Sequence, residues 1–295
     1  MNQAAQRGIA LVLVLWVTVL LSNATGAYAL MARMDQLEAN TLLSGTQARM
    51  AAEAGIHLMA VALRDTDDMT RPIADGRTYQ QILDGVLLEI SVTDERGKLD
   101  INAADEPTLL TLFMNQGLDV EAAELLAAAV LDWRDPDEVV RVNGAELDTY
   151  IAAGLPAGPA NRPFMMTDEL LQVIGMTYDL YRRIEPGISV YSRAAVPDLA
   201  YAPVEALMAV PEVSLEQAED FVAQRNSLEA GNLQGLALPN GQAAVAQGRG
   251  LTYSIVAKAT MPNGIWEQVE ATIRLGGSHT GLPFRILRWR EGFHH

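Results

Sequence analysis

The run Gln6-Arg7-Gly8-Ile9-Ala10-Leu11-Val12-Leu13-Val14-Leu15-Trp16-Val17-Thr18-Val19-Leu20-Leu21 decides how the rest of this chain is read. No charged side chain occurs from residue 9 to residue 32. As a helix, that length crosses about 30 Å of hydrocarbon. Arg7 supplies the positive flank that stays cytoplasmic, and Arg33 on the far side weakens the asymmetry without reversing it. Two readings compete. A secretory signal peptide would have its apolar core at residues 9–21 and its cleavage site at Ala27-Tyr28-Ala29. A short hydrophilic leader ending in Gly8 would instead be cut ahead of Ile9, and the apolar helix would be retained. The following residues favour the second reading. No proline occurs from residue 34 to residue 63, and Met50, Ala54, Leu58 and Val61 recur at helical spacing with polar residues between them. Gly45 and Gly55 are the weak points. The pattern predicts one helix of about 55 residues, apolar first and amphipathic after.

Composition bounds the function. A chain of 295 residues, 49% hydrophobic and 20% charged, has globular composition with a real core. A formal charge of -16 excludes nucleic acid as a partner, because a phosphate backbone is held by clustered Lys and Arg, while it suits cations such as calcium. The absence of cysteine excludes disulfides, thiolate metal sites and cysteine nucleophiles. The histidines are His57, His279, His294 and His295, and there is no H-E-x-x-H, G-x-S-x-G or phosphate loop. Nothing here forms a catalytic set, and the chain is read as a non-enzyme. His57 is expected to be a packing or surface residue, with Met165 and Met166 as core fillers.

Along the chain, residues 65–76 read as a surface connection, and residues 86–93 with 98–102 as a hairpin around 95–97. Glu106-Pro107 opens a helix, residues 120–131 form an alanine-rich one, and Thr167-Asp168 caps another that Gly175 stops. Residues 187–191 are a short strand. Residues 100–133 and 198–225 repeat a helix, turn, helix pattern that is similar to helix-hairpin-helix units. Their turns are acidic or neutral with no basic flank, so DNA is not the expected ligand. Residues 227–250 read as a loop. Residues 251–260 and 266–275, joined by Pro262-Asn263-Gly264, form a hairpin, and a last strand follows at 284–289.

One constellation has metal-binding chemistry: Asp132, Asp135 and Asp137, followed by Glu146 and Asp148. Oxygen ligands at this density suit Ca²⁺, although the EF-hand spacing is absent. The same residues read equally as a helix end, with Asp132 and Asp135, and a solvated acidic loop. Arg134 is expected to pair with a neighbouring carboxylate, and Trp133 to be core.

The N-terminal run resembles a prepilin cleavage signature, and the whole chain resembles the general secretion pathway protein K family, the minor pseudopilins of type II secretion systems. The landmarks are residues 94–104 (Asp94-Glu-Arg-Gly-Lys98 and Asn102), residues 131–137, Asn143-Gly-Ala-Glu146, Tyr150, Ala160-Asn161-Arg-Pro-Phe164, Asp168-Glu-Leu170, Val173-Ile-Gly-Met176 and residues 283–290. They run in the family's order over almost the full length. The departure is Leu13, where mature pilins usually carry Glu. In the family that Glu is thought to pair with the amine of the subunit ahead, so an apolar residue there implies a subunit with none ahead of it.

The resemblance implies an α+β fold. A long N-terminal transmembrane and amphipathic helix leads into a pilin-like α/β domain with an antiparallel sheet and a large inserted α-helical domain. It divides the chain into a leader peptide at 1–8, a transmembrane part at 9–33, the pilin-like domain at 34–102 and 250–295, and the insertion at 103–249. It implies cleavage after Gly8 by the prepilin peptidase and methylation of the new terminus at Ile9. It further implies calcium at the acidic loop, with Asp132, Asp135, Asp137, Glu146 and Asp148 as ligands. The implied partners are other minor pseudopilins at the pseudopilus tip, the prepilin peptidase, inner-membrane lipid and secreted substrates. The implied location is the bacterial inner membrane, crossed once, with the C-terminal domain in the periplasm. The rival class is a membrane-anchored or secreted periplasmic binding protein whose helix-hairpin-helix units hold a ligand.

Overall fold

The computed structural model describes residues 3–228, 232–245, 248–276, 281 and 283–292, with side chains from residue 11 onward. His279, His294 and His295 lie outside the described residues.

Helix α1 runs unbroken through Gln3–Ala62. Strands β1 (Asp75–Leu83) and β2 (Val86–Asp94) follow, then a 3₁₀ turn at Glu95–Gly97 and the short strand β3 (Leu99–Asp100). The helical section comprises α2 (Glu106–Asn115), α3 (Val120–Arg134), α4 (Leu147–Ala152), a 3₁₀ turn at Thr167–Gln172 and α5 (Tyr178–Ile184). The strand β4 (Ile188–Ser189), α6 (Val204–Leu207) and α7 (Leu215–Ser227) complete it. The chain ends in β5 (Thr252–Thr260), β6 (Trp266–Leu275) and β7 (Phe284–Glu291).

The five-stranded sheet has the order β1-β2-β5-β6-β7 and is antiparallel throughout. The hairpin expected around residues 95–97 does not form. Residues 99–100 pair in parallel with β4 in a separate two-stranded sheet, and β2 takes β1 and β5 as neighbours. Two features explain this. Asp84-Gly85, both at positive φ (48° and 82°), make the tight turn that joins β1 to β2. At Gly97 a Cβ would lie 2.4 Å from the Tyr201 carbonyl, so the chain there is pressed against residues 201–202 of the helical section. Part of the expected surface connection, from Asp75, is strand β1. The segment expected as a helix from Thr167 is a 3₁₀ turn, entered at Met166, with Glu169 reaching back to the amides of Met165 and Met166 (2.9 and 3.2 Å).

Alternation along the strands sets two faces. Leu88, Ile90, Val92, Ile255, Ala257, Val269, Ala271 and Ile273 are buried toward α1. Glu89, Ser91, Lys258, Gln268 and Glu270 belong to the other register. The packing face of α1 is not the row Met50, Ala54, Leu58 and Val61 whose spacing marked the helix. Met50 and Val61 are 61% and 60% exposed, and the buried positions are Ala48, Ala52, Ile56, Met59, Ala60 and Leu63. Small residues win because they let the helix approach the sheet closely: a Cβ on Gly55 would stand 3.2 Å from the Ala257 Cβ. Residues 11–43 of α1 touch nothing that buries them.

A second core, made by Leu109, Leu112, Phe113, Leu126, Val130, Trp133, Tyr150 and their neighbours, belongs to the helical section. That section leaves the sheet at Asp94 and returns at Thr252, beside the C-terminal end of α1, where Leu63 shares a cavity with Asp94 and Tyr253. The opposite end of the sheet meets α1 at Ser44, which accepts a hydrogen bond from Asn263 (2.9 Å). The helices therefore sit at the sheet end remote from the free half of α1.

Candidate functional site

Five consecutive residues, Asp94-Glu-Arg-Gly-Lys98, join sheet and helical section. The Asp94 carboxylate, buried at the end of β2, is gripped by the Arg96 guanidinium (2.8–3.2 Å). The Glu95 carboxylate is buried and accepts from Ser254 Oγ of β5 (2.6 Å), from Ser189 Oγ of β4 and from Lys98 Nζ (2.8 Å). One carboxylate thus ties the sheet, the small parallel sheet and the connecting turn. Nearby, Asp100 accepts from the amides of Asn102 (2.8 Å) and Arg193 (2.7 Å), and burial raises its carboxyl above the usual range. Asn102 exchanges two hydrogen bonds with the backbone of Phe164 (2.8 and 2.9 Å). Phe164 stacks on Trp133, which is core as expected.

A second tie lies further along the sheet. Arg288 and Arg290 of β7 hold Asp168 (3.1 and 2.9 Å) and both reach Glu185. Tyr181 donates to Asp168 as well, and burial, then that bond, pushes its phenol upward. Met165 and Met166, expected as core fillers, are 67% and 50% exposed, because the backbone there turns outward to be capped by Glu169. His57 is exposed and meets the Phe284 ring at 5.3 Å.

The acidic loop is built around Asp132. This residue is fully buried near the end of α3, and its Oδ2 accepts from the amides of Arg141 (3.3 Å) and Ala145 (2.9 Å), which curls residues 141–145 over it. Its Oδ1 lies 3.1 Å from Arg141 Nε but without an aligned N–H. The Arg141 guanidinium also binds Asp135 Oδ2 (2.8 Å). Asp135 Oδ1 and Glu146 Oε1 are buried without a partner. Burial raises the Asp132 carboxyl, and the charge of Asp135 adds to this. Burial likewise raises Glu146, followed by the charges of Asp132, Asp135 and Asp137.

Asp132 and Asp135 thus share Arg141, and the charges of both act on Glu146. Asp137 is exposed, its carboxylate accepting from the Val139 amide (2.9 Å), and Asp148 is exposed in the first turn of α4. Among the described residues no group of three His, Asp or Glu side chains is placed so that it could hold a metal ion. Asp132, Asp135 and Glu146 each keep a buried oxygen that lacks an aligned donor, the type of atom a hard cation takes, although the three are not arranged as a ligand set.

Arg141, which now supplies the positive charge, was missed from sequence; the signal was its place among the acids. Arg134, expected to find a carboxylate, instead donates to the carbonyls of Ile101 and Ala104. Gly8 and Ile9 lie within α1, and the side chain of Ile9 is outside the described residues.

The profile of "Type II secretion system (T2SS), protein K" matches residues 88–193. Type II secretion system protein K of Pectobacterium carotovorum subsp. carotovorum is 29% identical over 275 residues, covering 81% of this chain and 82% of that protein. The Klebsiella pneumoniae protein of that name is 31% identical over 202 residues, 61% of each chain. In the solved GspK-GspI-GspJ complex from enterotoxigenic Escherichia coli, one chain superposes with a TM-score of 0.54 at 17% identity, covering 89% of this chain and 99% of that one, a likeness of fold. Landmark residues, fold and relatives agree in making this chain similar, in sequence and in architecture, to type II secretion system protein K.

Proposed function

We propose that this chain is a minor pseudopilin at the tip of the type II secretion pseudopilus, a structural subunit in pseudopilus assembly and protein secretion across the outer membrane. The carrying observation is α1: one helix whose residues 11–43 are exposed and largely apolar, continuous with a second half packed on a sheet. Such a helix is anchored once in the inner membrane before assembly and then packs against partner helices through apolar contact. Residues 11–62 are the one stretch among the described residues long and apolar enough to cross a membrane.

The tip position rests on two further features. Leu13 removes the acid that would seek a subunit ahead, since an unpaired carboxylate in hydrocarbon costs several kcal/mol. The helical section occupies the sheet end remote from the anchor, which in the membrane-anchored subunit is the periplasmic end, and its bulk opposes stacking of another subunit there. The partners are the counterparts of the GspI and GspJ that accompany GspK in the solved complex. The prepilin peptidase cuts after Gly8 and the new amine of Ile9 is methylated. Calcium is held by Asp132, Asp135 and Glu146, with Asp137 and Asp148 as outer acids, and it neutralises the buried loop.

The mature N-terminus tests this reading. Intact mass of the protein from its native membrane is expected to give a start at Ile9, with or without a methyl group. A start at Leu30, after Ala27-Tyr28-Ala29, would mean an ordinary signal peptide and end the proposal. Copurification at native expression is expected to bring down the other minor pseudopilins.

A further inference from the structure

At the seam between β1, β2 and the helical section lies a cavity of about 450 Å³, within the size range of small-molecule sites. Its lining runs against the composition of the chain. In a protein of formal charge -16, five arginines, Arg71, Arg77, Arg96, Arg225 and Arg249, share it with only three carboxylates. Those carboxylates are Asp68, Asp75 and Asp94, which leaves two positive charges in excess.

Two of the three acids are spent locally. Asp75 is held by Arg77 (2.7–3.1 Å) and Asp94 by Arg96 (2.8–3.2 Å), the same i, i+2 grip on neighbouring strands. Asp68 stands at the rim, 76% exposed, between Arg249 (3.0 Å) and Arg71 (2.7 Å), and those two hydrogen bonds lower its carboxyl.

Arg225 differs from the others. Only 1% of it is exposed, and it has no carboxylate hydrogen-bond partner. Its Nη1 donates to the carbonyls of Leu199 (3.0 Å) and Ala202 (2.7 Å), and its Nη2 to that of Asp75 (2.9 Å). Its Nε has no acceptor. The Arg225 guanidinium, hydrogen-bonded to carbonyls only, thus adds a charge with no carboxylate hydrogen bond behind the wall of a cavity whose lining is already in positive excess, and that field favours an anion in the cavity.

We propose that this cavity binds a small, freely diffusing oxyanion of the phosphate or polycarboxylate type. Guanidinium forks match paired oxygens of that geometry, and several arginines converge here from different elements. A lipid headgroup of the anchoring membrane is not the source: the cavity lies at the C-terminal end of α1, about 40 Å of helix beyond Arg33. The site does not depend on where the subunit stands in the pseudopilus.

The test is isothermal titration of the full chain in neutral detergent with inorganic phosphate, with citrate and with a hexaglutamate peptide, against sodium chloride at matched ionic strength. The expected result is one saturable site for phosphate or citrate, weakened about tenfold by Arg249→Gln and by Arg71→Gln, both at the solvent-facing rim. Circular dichroism confirms that each variant is folded before titration. Heats no different from chloride, binding indifferent to both variants, or binding of hexaglutamate alone would each overturn the proposal.

Discussion

The backbone of Gly144 lies against the carboxylate of Asp132: a Cβ at that glycine would stand 2.0 Å from Oδ2 and 2.8 Å from Cγ. The acidic loop closes over its central acid only because residue 144 has no side chain. Gly144→Ala is therefore expected to force the loop off Asp132, costing about 1–3 kcal/mol. Thermal unfolding measures this, and an unchanged midpoint would show that the loop does not need the contact.

The same cluster gives a pH dependence with a definite sign. Asp132 and Glu146 have raised folded-state pKa values, so the folded chain binds more protons than the unfolded one as pH climbs from the ordinary carboxylate range. Without calcium, their contribution to stability falls as pH rises through the interval from the unfolded to the raised folded pKa. Calcium bound as proposed would favour the ionised form and reverse the penalty. The rise in melting temperature on adding calcium is expected to be largest near neutral pH and to shrink on acidification toward pH 5, where protons compete. An equal rise at both pH values, or none, would count against the site.

Glu95→Gln is expected to be among the costliest single changes, about 3–5 kcal/mol, because it leaves Lys98, 12% exposed, without its counter-charge. The double change Glu95→Gln with Lys98→Met is expected to recover a substantial part of that loss. A double-mutant cycle by urea unfolding checks it, and strict additivity would refute the coupling.

The two sides of α1 are expected to separate folding from assembly. Gly55→Val drives a branched side chain into Ala257 and Ile90 and is expected to lower the midpoint of unfolding, at about 1–3 kcal/mol. Met50→Ser, on the exposed side, is expected to change stability by less than about 0.5 kcal/mol while reducing recovery of partner subunits. Loss of stability from Met50→Ser would place that side in the fold instead.

Much of this architecture was legible in sequence, for reasons that differ by element. The unbroken α1 follows from a long proline-free run. The β5–β6 hairpin follows from alternation around Pro262-Asn263-Gly264, α2 from Glu106-Pro107 and α3 from its alanine-rich run; the caps at Asp105 and Asp119 were seen only in the structure. What misled were signals whose meaning depends on distant chain. Met50, Leu58 and Val61 look like a core stripe until Ala48, Ala52 and Gly55 are seen against the sheet. Residues 98–102 look like the return of a hairpin until residues 201–202 are found pressed on Gly97. At the acidic loop the density of carboxylates around Asp132 was readable from sequence. The role of Arg141, 9 residues beyond Asp132, needed the loop's actual path.

Strands β2 and β5 lie side by side, yet the whole helical section is threaded between them in the chain. Their pairing is a long-range closure that cannot occur until the intervening residues have been made and folded. During synthesis from the N-terminus, the first hairpin and the long helix emerge early, but Ile56 and Met59 stay wet until the last three strands arrive to cover them. Burial of that strip is thus a built-in proof of completion. A truncated or misfolded copy keeps a greasy, unclosed flank and exposes it to proteases for that reason.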